Sequence, residues 1–217
     1  MKITAIIPAR AGSTRLPNKN VAEFQGEPLL VRKIKQLAGA VDDIVVWSDS
    51  PEYLTLAIGE GAIPIKRTAE WADEKTHTFG ERVAHVCSLV EGETVLWSPL
   101  TSPLVTNAHY HAALELYKSV ICHGYDSLMS VQPFKRYVWD EGGPINYNAD
   151  VGHVRSQDLP TLYFACDAIQ IAPRLKMIEL KYFVGKRPFL FHLDKRSAVD
   201  IDDIYDLECA RAWAKLP

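Results

Sequence analysis

Long apolar runs are missing from this 217-residue chain: no stretch approaches the ~20 residues of a membrane span. The segment Met1 to Pro8 also lacks the basic-then-apolar layout of a signal peptide, so we expect a cytoplasmic chain with no membrane partner. Cysteine is scarce. Cys87, Cys122, Cys166 and Cys209 stand far apart with no CxxC pair, which argues against a zinc knuckle or a disulfide framework and leaves buried free thiols as the expectation. Strong charge of either sign is absent too. A formal net charge of −3 offers no global field to gather nucleic acid or an anionic membrane, so any nucleotide would have to be held locally. Neither GxGxxG nor GxxxxGK followed by Ser or Thr occurs. What is present, 47% hydrophobic and 24% charged residues, suffices to bury the core of one ordinary domain over 1–217.

Short apolar runs set the organisation. Ile3 to Ile7 is the kind of run that fills a strand covered on both faces, and it stops at Pro8. Similar runs recur at Asp43–Trp47, Thr94–Trp97 and Ser127–Val131, with helical periods between them. That alternation predicts an α/β fold of crossover units around a mainly parallel sheet. Pro28 opens a helical segment with Leu30, Ile34 and Leu37 on one face, stopped by Gly39, and Ser50 with Pro51 reads as a cap and first turn. Thr78 with Glu81 reads as a capping box ahead of Val83, Val86, Cys87 and Val90, a stripe that belongs to the core. Asn107 is expected to cap a helix carrying Tyr110, Ala113, Leu114, Tyr117 and Ile121, closed near Gly124. His109 and His111 on its first turns point apart and suit a solvated face rather than a metal. From about residue 132 to 160 the pattern loosens into Phe134, Tyr137, Trp139, Gly142, Gly143, Pro144 and Tyr147, which predicts a protruding β-hairpin arm. Exposed aromatics on such an arm need a partner surface, and a second copy of the chain, giving a homodimer, is the simplest candidate.

Two local clusters carry chemistry. The first is the loop Pro8-Ala9-Arg10-Ala11-Gly12-Ser13-Thr14-Arg15-Leu16-Pro17-Asn18-Lys19-Asn20, which follows the first strand, where open parallel sheets bind ligands. Gly12 lets the backbone approach a phosphate, Ser13 and backbone N–H groups can bind it, and Arg10, Arg15 and Lys19 offset its charge. Residues 1 to 36 hold seven Lys/Arg against Glu23 and Glu27, a local +5 inside a chain of net −3. A merely solvated basic loop is the plain alternative. The second cluster is the run from Ser197 to Leu207, read as the end of an apolar strand and the start of a helix. In extended chain Asp200 and Asp202 project to one side while Val199 and Ile201 face the core, so two carboxylates converge as a hard cation such as Mg²⁺ requires. The competing reading makes Asp202 or Asp203 a helix cap, Asp206 a helix-dipole partner and Asp200 an exposed strand end.

The segment IIPARAGSTRLPNKN resembles the N-terminal signature of the CMP-sugar synthetases, the acylneuraminate cytidylyltransferase family. Further similarity falls at Val45 to Ser50, Arg67-Thr68-Ala69-Glu70, Thr101-Ser102-Pro103-Leu104, Arg155 to Pro160 and Ser197 to Asp206, ordered landmarks over nearly the whole chain. The resemblance implies a Rossmann-like three-layer sandwich in which Arg10, Ala11, Gly12, Ser13, Arg15, Lys19 and Asn20 hold the phosphates of CTP and Arg67 lies near the nucleotide. It makes Asp200 and Asp202, in Val199-Asp200-Ile201-Asp202, the Mg²⁺ ligands. The implied activity joins CMP from CTP to a sialic-acid-like sugar acid with release of pyrophosphate, with Arg10, Arg15, Lys19, Asp200 and Asp202 as the catalytic set. Two segments depart from the family pattern. A glutamine-bearing QPTSP-like stretch reads Ser98-Pro99-Leu100-Thr101-Ser102-Pro103, and an Asn-Gly-Ala-Ile-Tyr strand reads Cys166-Asp167-Ala168-Ile169-Gln170. Both lie where the family recognises its sugar, so another nonulosonic acid or a Kdo-type acid is the alternative acceptor; from another class, a non-catalytic nucleotide-sugar binding module is the alternative function.

Overall fold

The structure is a computed structural model and describes residues 1–216. Strand β1 (Ile3–Pro8) leads through a 3-10 turn (Lys19–Val21) and a small hairpin, β2 (Glu23–Phe24) and β3 (Glu27–Pro28), into α1 (Leu29–Leu37). Then come β4 (Asp43–Ser48), α2 (Pro51–Gly59), β5 (Ile63–Lys66), α3 (Ala69–Ala72), α4 (Phe79–Ser88), β6 (Thr94–Trp97), α5 (Asn107–Ile121) and β7 (Ser127–Phe134). A second small hairpin, β8 (Trp139–Asp140) and β9 (Gly143–Pro144), precedes the long β10 (Leu162–Pro173), α6 (Arg174–Leu180), β11 (Pro188–His192) and α7 (Ile204–Ala214).

One seven-stranded sheet has the order β11-β7-β10-β6-β1-β4-β5. Its neighbours pair in parallel except around β10, which runs antiparallel to both β6 and β7. The three layers follow from the alternation of side chains along β1. Ile3, Ala5 and Ile7 pack with Leu30 and Ile34 of α1, Tyr53 of α2, Leu114 of α5 and Leu207 of α7. Ile6 faces the other way, onto Val45, Trp47, Val83 and Val86 of α4, and Met177 of α6. A strand apolar on both faces has no stable place except the centre of such a sandwich.

The capping box at α4 forms as expected, Glu81 N donating to Thr78 Oγ1 at 3.2 Å and Thr78 N to Glu81 Oε2 at 3.0 Å. The start of α5 corrects the expectation. Thr106 caps it, in a box closed by His109, whose Nδ1 accepts from Thr106 N at 3.1 Å. Asn107 instead donates to the carbonyls of Gln36 and Ala38 at 3.0 and 2.9 Å. The last carbonyls of α1 and its C-cap outcompete α5 for that amide, because they have no partner within their own helix. The arm is smaller than its sequence suggests: β10 pairs Leu162 with Phe134 and so holds β7 in the main sheet to its end. Beyond it Tyr137 packs on Tyr147 and His153 at 4.7 and 4.8 Å, while Trp139 stays 57% exposed. No described helix is long and apolar enough to cross a membrane. The cysteines are free thiols, but only Cys87 and Cys166 are buried; Cys122, just past the end of α5, and Cys209 on α7 are exposed.

Candidate active site

The carboxyl end of β1 opens into a cleft of about 400 Å³, lined on one side by Arg10, Ser13, Thr14, Arg15 and Lys19 and on the other by Pro99, Leu100, Thr101 and Asp167. Internal bonds fix the loop's course. Ala9 N donates to Trp47 O at 3.0 Å, Ser48 Oγ to Ala9 O at 2.6 Å, Ala11 N to Asp49 Oδ1 at 2.8 Å, and Asn20 Nδ2 to Arg10 O at 2.8 Å. Gly12 adopts φ +73 with open space where a Cβ would stand, so its requirement is conformational rather than steric. The site residues named from the sequence therefore divide. Arg10, Ser13, Arg15, Lys19 and Asn20 line the cleft, whereas Ala11 and Gly12 shape the loop without lining it. The Ala11 N–H and the Asn20 amide are already engaged inside the protein.

Across from the loop, the acidic run is not a strand. After β11, Asp194 accepts from the N–H groups of Arg196 and Ser197 and makes a turn, and the chain then extends so that Ile201 is buried and its N–H donates to Thr101 O at 2.8 Å. The expected alternation survives this correction, because one buried isoleucine suffices to aim its flanking aspartates outward. Asp203 caps α7, accepting from Tyr205 N and Asp206 N at 2.8 and 3.1 Å, and Asp206 returns the capping box. Asp202 is held by both Arg15 nitrogens at 2.9 and 2.7 Å, with Lys19 Nζ at 3.6 Å. Lys19 itself donates to Ile201 O at 2.9 Å, so the basic loop and the acidic segment, some 180 residues apart in sequence, are joined directly.

Asp167 completes this wall and was not assigned from the sequence. It stands in β10 where the pairing with β7 shifts register between Ala165 and Gln170, and such a bulge re-aims side chains. Burial in the concave wall, then Asp200 and Asp202, push its carboxyl up to about 6. Asp200 is raised as well, chiefly by burial, against the opposing pull of the Thr101 side chain and of Lys19. Among the described residues no group of three or more His, Cys, Asp or Glu forms a ready metal cage. Asp200 and Asp202 nonetheless present the hard oxygen donors that Mg²⁺ takes together with phosphate oxygens.

A smaller cavity of about 130 Å³ adjoins the cleft, lined by Pro8, Arg10, Trp47, Arg67, Glu74, Phe79, Arg82 and Trp97. Arg67 is 6% exposed, lies 4.3 Å over the Trp47 ring and donates to Trp71 O at 2.8 Å; burial first, then Arg82, lowers its pKa to about 10. Arg82 Nη1 and Trp47 Nε1 are buried donors without a hydrogen-bond partner in the protein. Glu74 Oε1 stands between Arg10 and Arg82 at 3.4 and 3.8 Å, both electrostatic approaches rather than hydrogen bonds. Glu74, Phe79 and Arg82 were missed because they flank a capping box whose periodicity reads as core; only a cation one turn into that helix hinted otherwise.

A Rossmann-like α/β sandwich whose cleft sets a braced basic loop against a carboxylate wall is the form of a protein that handles a phosphorylated ligand. The chain belongs to the cytidylyltransferase family, whose model matches residues 4–132. It is 29% identical over 213 residues to the N-acylneuraminate cytidylyltransferase of Streptococcus agalactiae, covering 93% of this chain and 51% of that one. To the pseudaminic acid cytidylyltransferase of Campylobacter jejuni it is 26% identical over 233 residues, covering 100% of this chain and 97% of that one. The chain thus spans about half the length of the streptococcal relative. Among solved structures, a CMP:2-keto-3-deoxy-manno-octonic acid synthetase complexed with CTP shares the fold, with a TM-score of 0.70 at 17% identity over 99% of this chain and 98% of that one.

Proposed function

We propose that this chain transfers CMP from CTP to the anomeric hydroxyl of a sialic-acid-like sugar acid and releases pyrophosphate. The observation that carries the reading is the cleft whose lining sets Arg10, Arg15 and Lys19 against Asp167, with Asp202 ion-paired to Arg15 and Lys19 and Asp200 close enough to both Asp167 and Lys19 to act on their charge balance. The acceptor oxygen bonds to the α-phosphorus as the bond to the bridging oxygen of pyrophosphate breaks, and the hydroxyl proton leaves to the carboxylate wall. Cations of the loop neutralise the charge growing on the leaving group. Arg67 and the orphaned donors of the smaller cavity suit the nucleoside end of the same ligand.

Asp200 and Asp202 would hold Mg²⁺ once phosphate draws Arg15 off Asp202. When bound, the ion supplies charge stabilisation at the α-phosphoryl group and acidifies the attacking hydroxyl. The exposed Trp139, Ile145 and Val151 of the arm support pairing with a second copy, and light scattering at micromolar concentration is expected to give a dimer, a monomer refuting it.

The acceptor is tested with CTP and a panel of 2-keto sugar acids, reading CMP-linked products by mass spectrometry. A sialic-type or related nine-carbon acid is the expected acceptor; product from an eight-carbon Kdo-type acid alone would overturn that choice.

A further inference from the structure

A buried lysine that the reaction above does not use lies beneath the acceptor side of the cleft. Lys33, on α1, is 1% exposed, a rare state for a lysine, and no carboxylate pairs with it among the described residues. Its Nζ meets the Tyr110 hydroxyl of α5 at 2.6 Å and the Ser102 carbonyl at 3.3 Å. Tyr110 meets Ser98 Oγ at 2.8 Å, and Ser98 Oγ meets Ala168 O at 2.8 Å.

The last partner fixes the direction of every bond in this chain. A carbonyl only accepts, so the single hydroxyl proton of Ser98 is committed to Ala168; Ser98 must then accept from Tyr110, and Tyr110 from Lys33. The lysine is the one residue that can start such a relay, and as an ammonium it can do nothing but donate. Its two neighbours brace the same turn, Arg32 Nε and Gln36 Nε2 each donating to Pro103 O at 2.8 Å.

Both ends of the relay stop one residue short of the carboxylate wall. Ala168 follows Asp167, and Ser102 follows Thr101, whose carbonyl anchors Ile201 and whose side chain bonds Asp200. We propose, on the reading of this cleft as a cytidylyltransferase site, that Lys33 is a positioning residue: its donor relay pins the 98–103 turn and the β10 bulge and thereby aims Asp167 and Asp200 at the acceptor. The charged groups around it are Arg32 and Asp200. Burial dominates, Arg32 adds to it and Asp200 opposes it, leaving the amine near 7.

The test uses Lys33→Met, which keeps the stem and removes the donors, and Tyr110→Phe, which cuts the relay at its second member. Both are assayed as folded full-length protein, with thermal unfolding as the check. The KM for CTP is expected to stay within about twofold, while kcat/KM for the acceptor falls at least ~10-fold in each variant, as displaced reacting groups require. An activity-independent arm follows the side-chain carboxyl ¹³C resonances of Asp167 and Asp200 in the ligand-free protein. These should move with the titration of Lys33 in wild type and lose that response in Lys33→Met. If Lys33→Met does not fold, Tyr110→Phe decides alone. Folded variants with wild-type acceptor kcat/KM and unmoved carboxyl resonances overturn the proposal. A wild-type protein inactive with CTP and every acid would instead sink the functional reading, leaving the resonance arm to judge Lys33.

Discussion

The loop over residues 9–20 and the carboxylates Asp167, Asp200 and Asp202 meet at one cleft, yet they are made in opposite ways. The loop is local: one stretch of chain, braced by its own backbone, by Asn20 and by the end of β4. The wall is assembled from β10, from the segment before α7 and from the 98–103 turn, and the carboxyls of Asp167 and Asp200 are shifted upward, chiefly by burial and then by neighbouring carboxylates. A cation such as Arg15, 65% exposed, costs little to maintain, whereas carboxylates set close together are held against their own repulsion. Function is thus cheap to build on one side and strained on the other.

Removing the strained side should give the largest effect. Asp200→Asn and Asp202→Asn keep side-chain volume, so folding survives while kcat falls ~100-fold or more, about 2.7 kcal/mol of lost stabilisation, and the Mg²⁺ needed for half-maximal rate rises. Asp203→Asn is the adjacent control. It retains the cap of α7 and should leave both the Mg²⁺ titration and kcat near wild type. Variants at 200 and 202 that titrate like wild type would make those carboxylates structural.

On the loop side the expected losses are smaller and fall on rate rather than fold. Arg15 and Asp202 are 65% and 43% exposed, and ion pairs so solvated contribute ~0–1 kcal/mol. Arg15→Ala should therefore shift thermal unfolding by a few degrees at most and lower kcat/KM by ~10-fold or more; Lys19→Ala should lower kcat/KM by a similar factor. Wild-type kcat/KM in either folded variant removes that cation from the leaving-group role.

Lys33 sharpens the contrast through stability alone. Its folded pKa of about 7 lies below its ordinary 10.5, so between those values the unfolded chain binds more protons and stability rises with pH. At about 1.4 kcal/mol per pKa unit, wild type should gain a few kcal/mol relative to Lys33→Met between pH 7 and 10. Denaturant unfolding of both proteins across that range measures it. A flat difference would mean that the amine stays protonated in the fold across that range, with no lowering of its pKa.

How legible each region was in the sequence follows from the same contrast. The doubly buried β1, the capping box at Thr78 and the cationic loop depend on residues a few positions apart, and their spacing is enough to find them. Asp200 and Asp202 could be paired because Ile201 between them has to be buried. Asp167 could not, since a register shift in β10 aims it and nothing near it in sequence encodes the partner strand's register. Arg82 and Lys33 were hidden for a related reason. Each is a cation within an amphipathic helix, and only the packed fold shows that it points inward, to a small cavity in one case and to Tyr110 in the other. Asn107 was misassigned as a cap because its true partners, Gln36 and Ala38, lie on a helix some seventy residues earlier.

The most direct test of the shared cleft is pyrophosphate release from CTP, UTP, ATP and GTP, each with and without a 2-keto sugar acid. Release that requires both CTP and the acid is the expected result. Equal release from all four nucleotides, or release from CTP with no acid present, would contradict it.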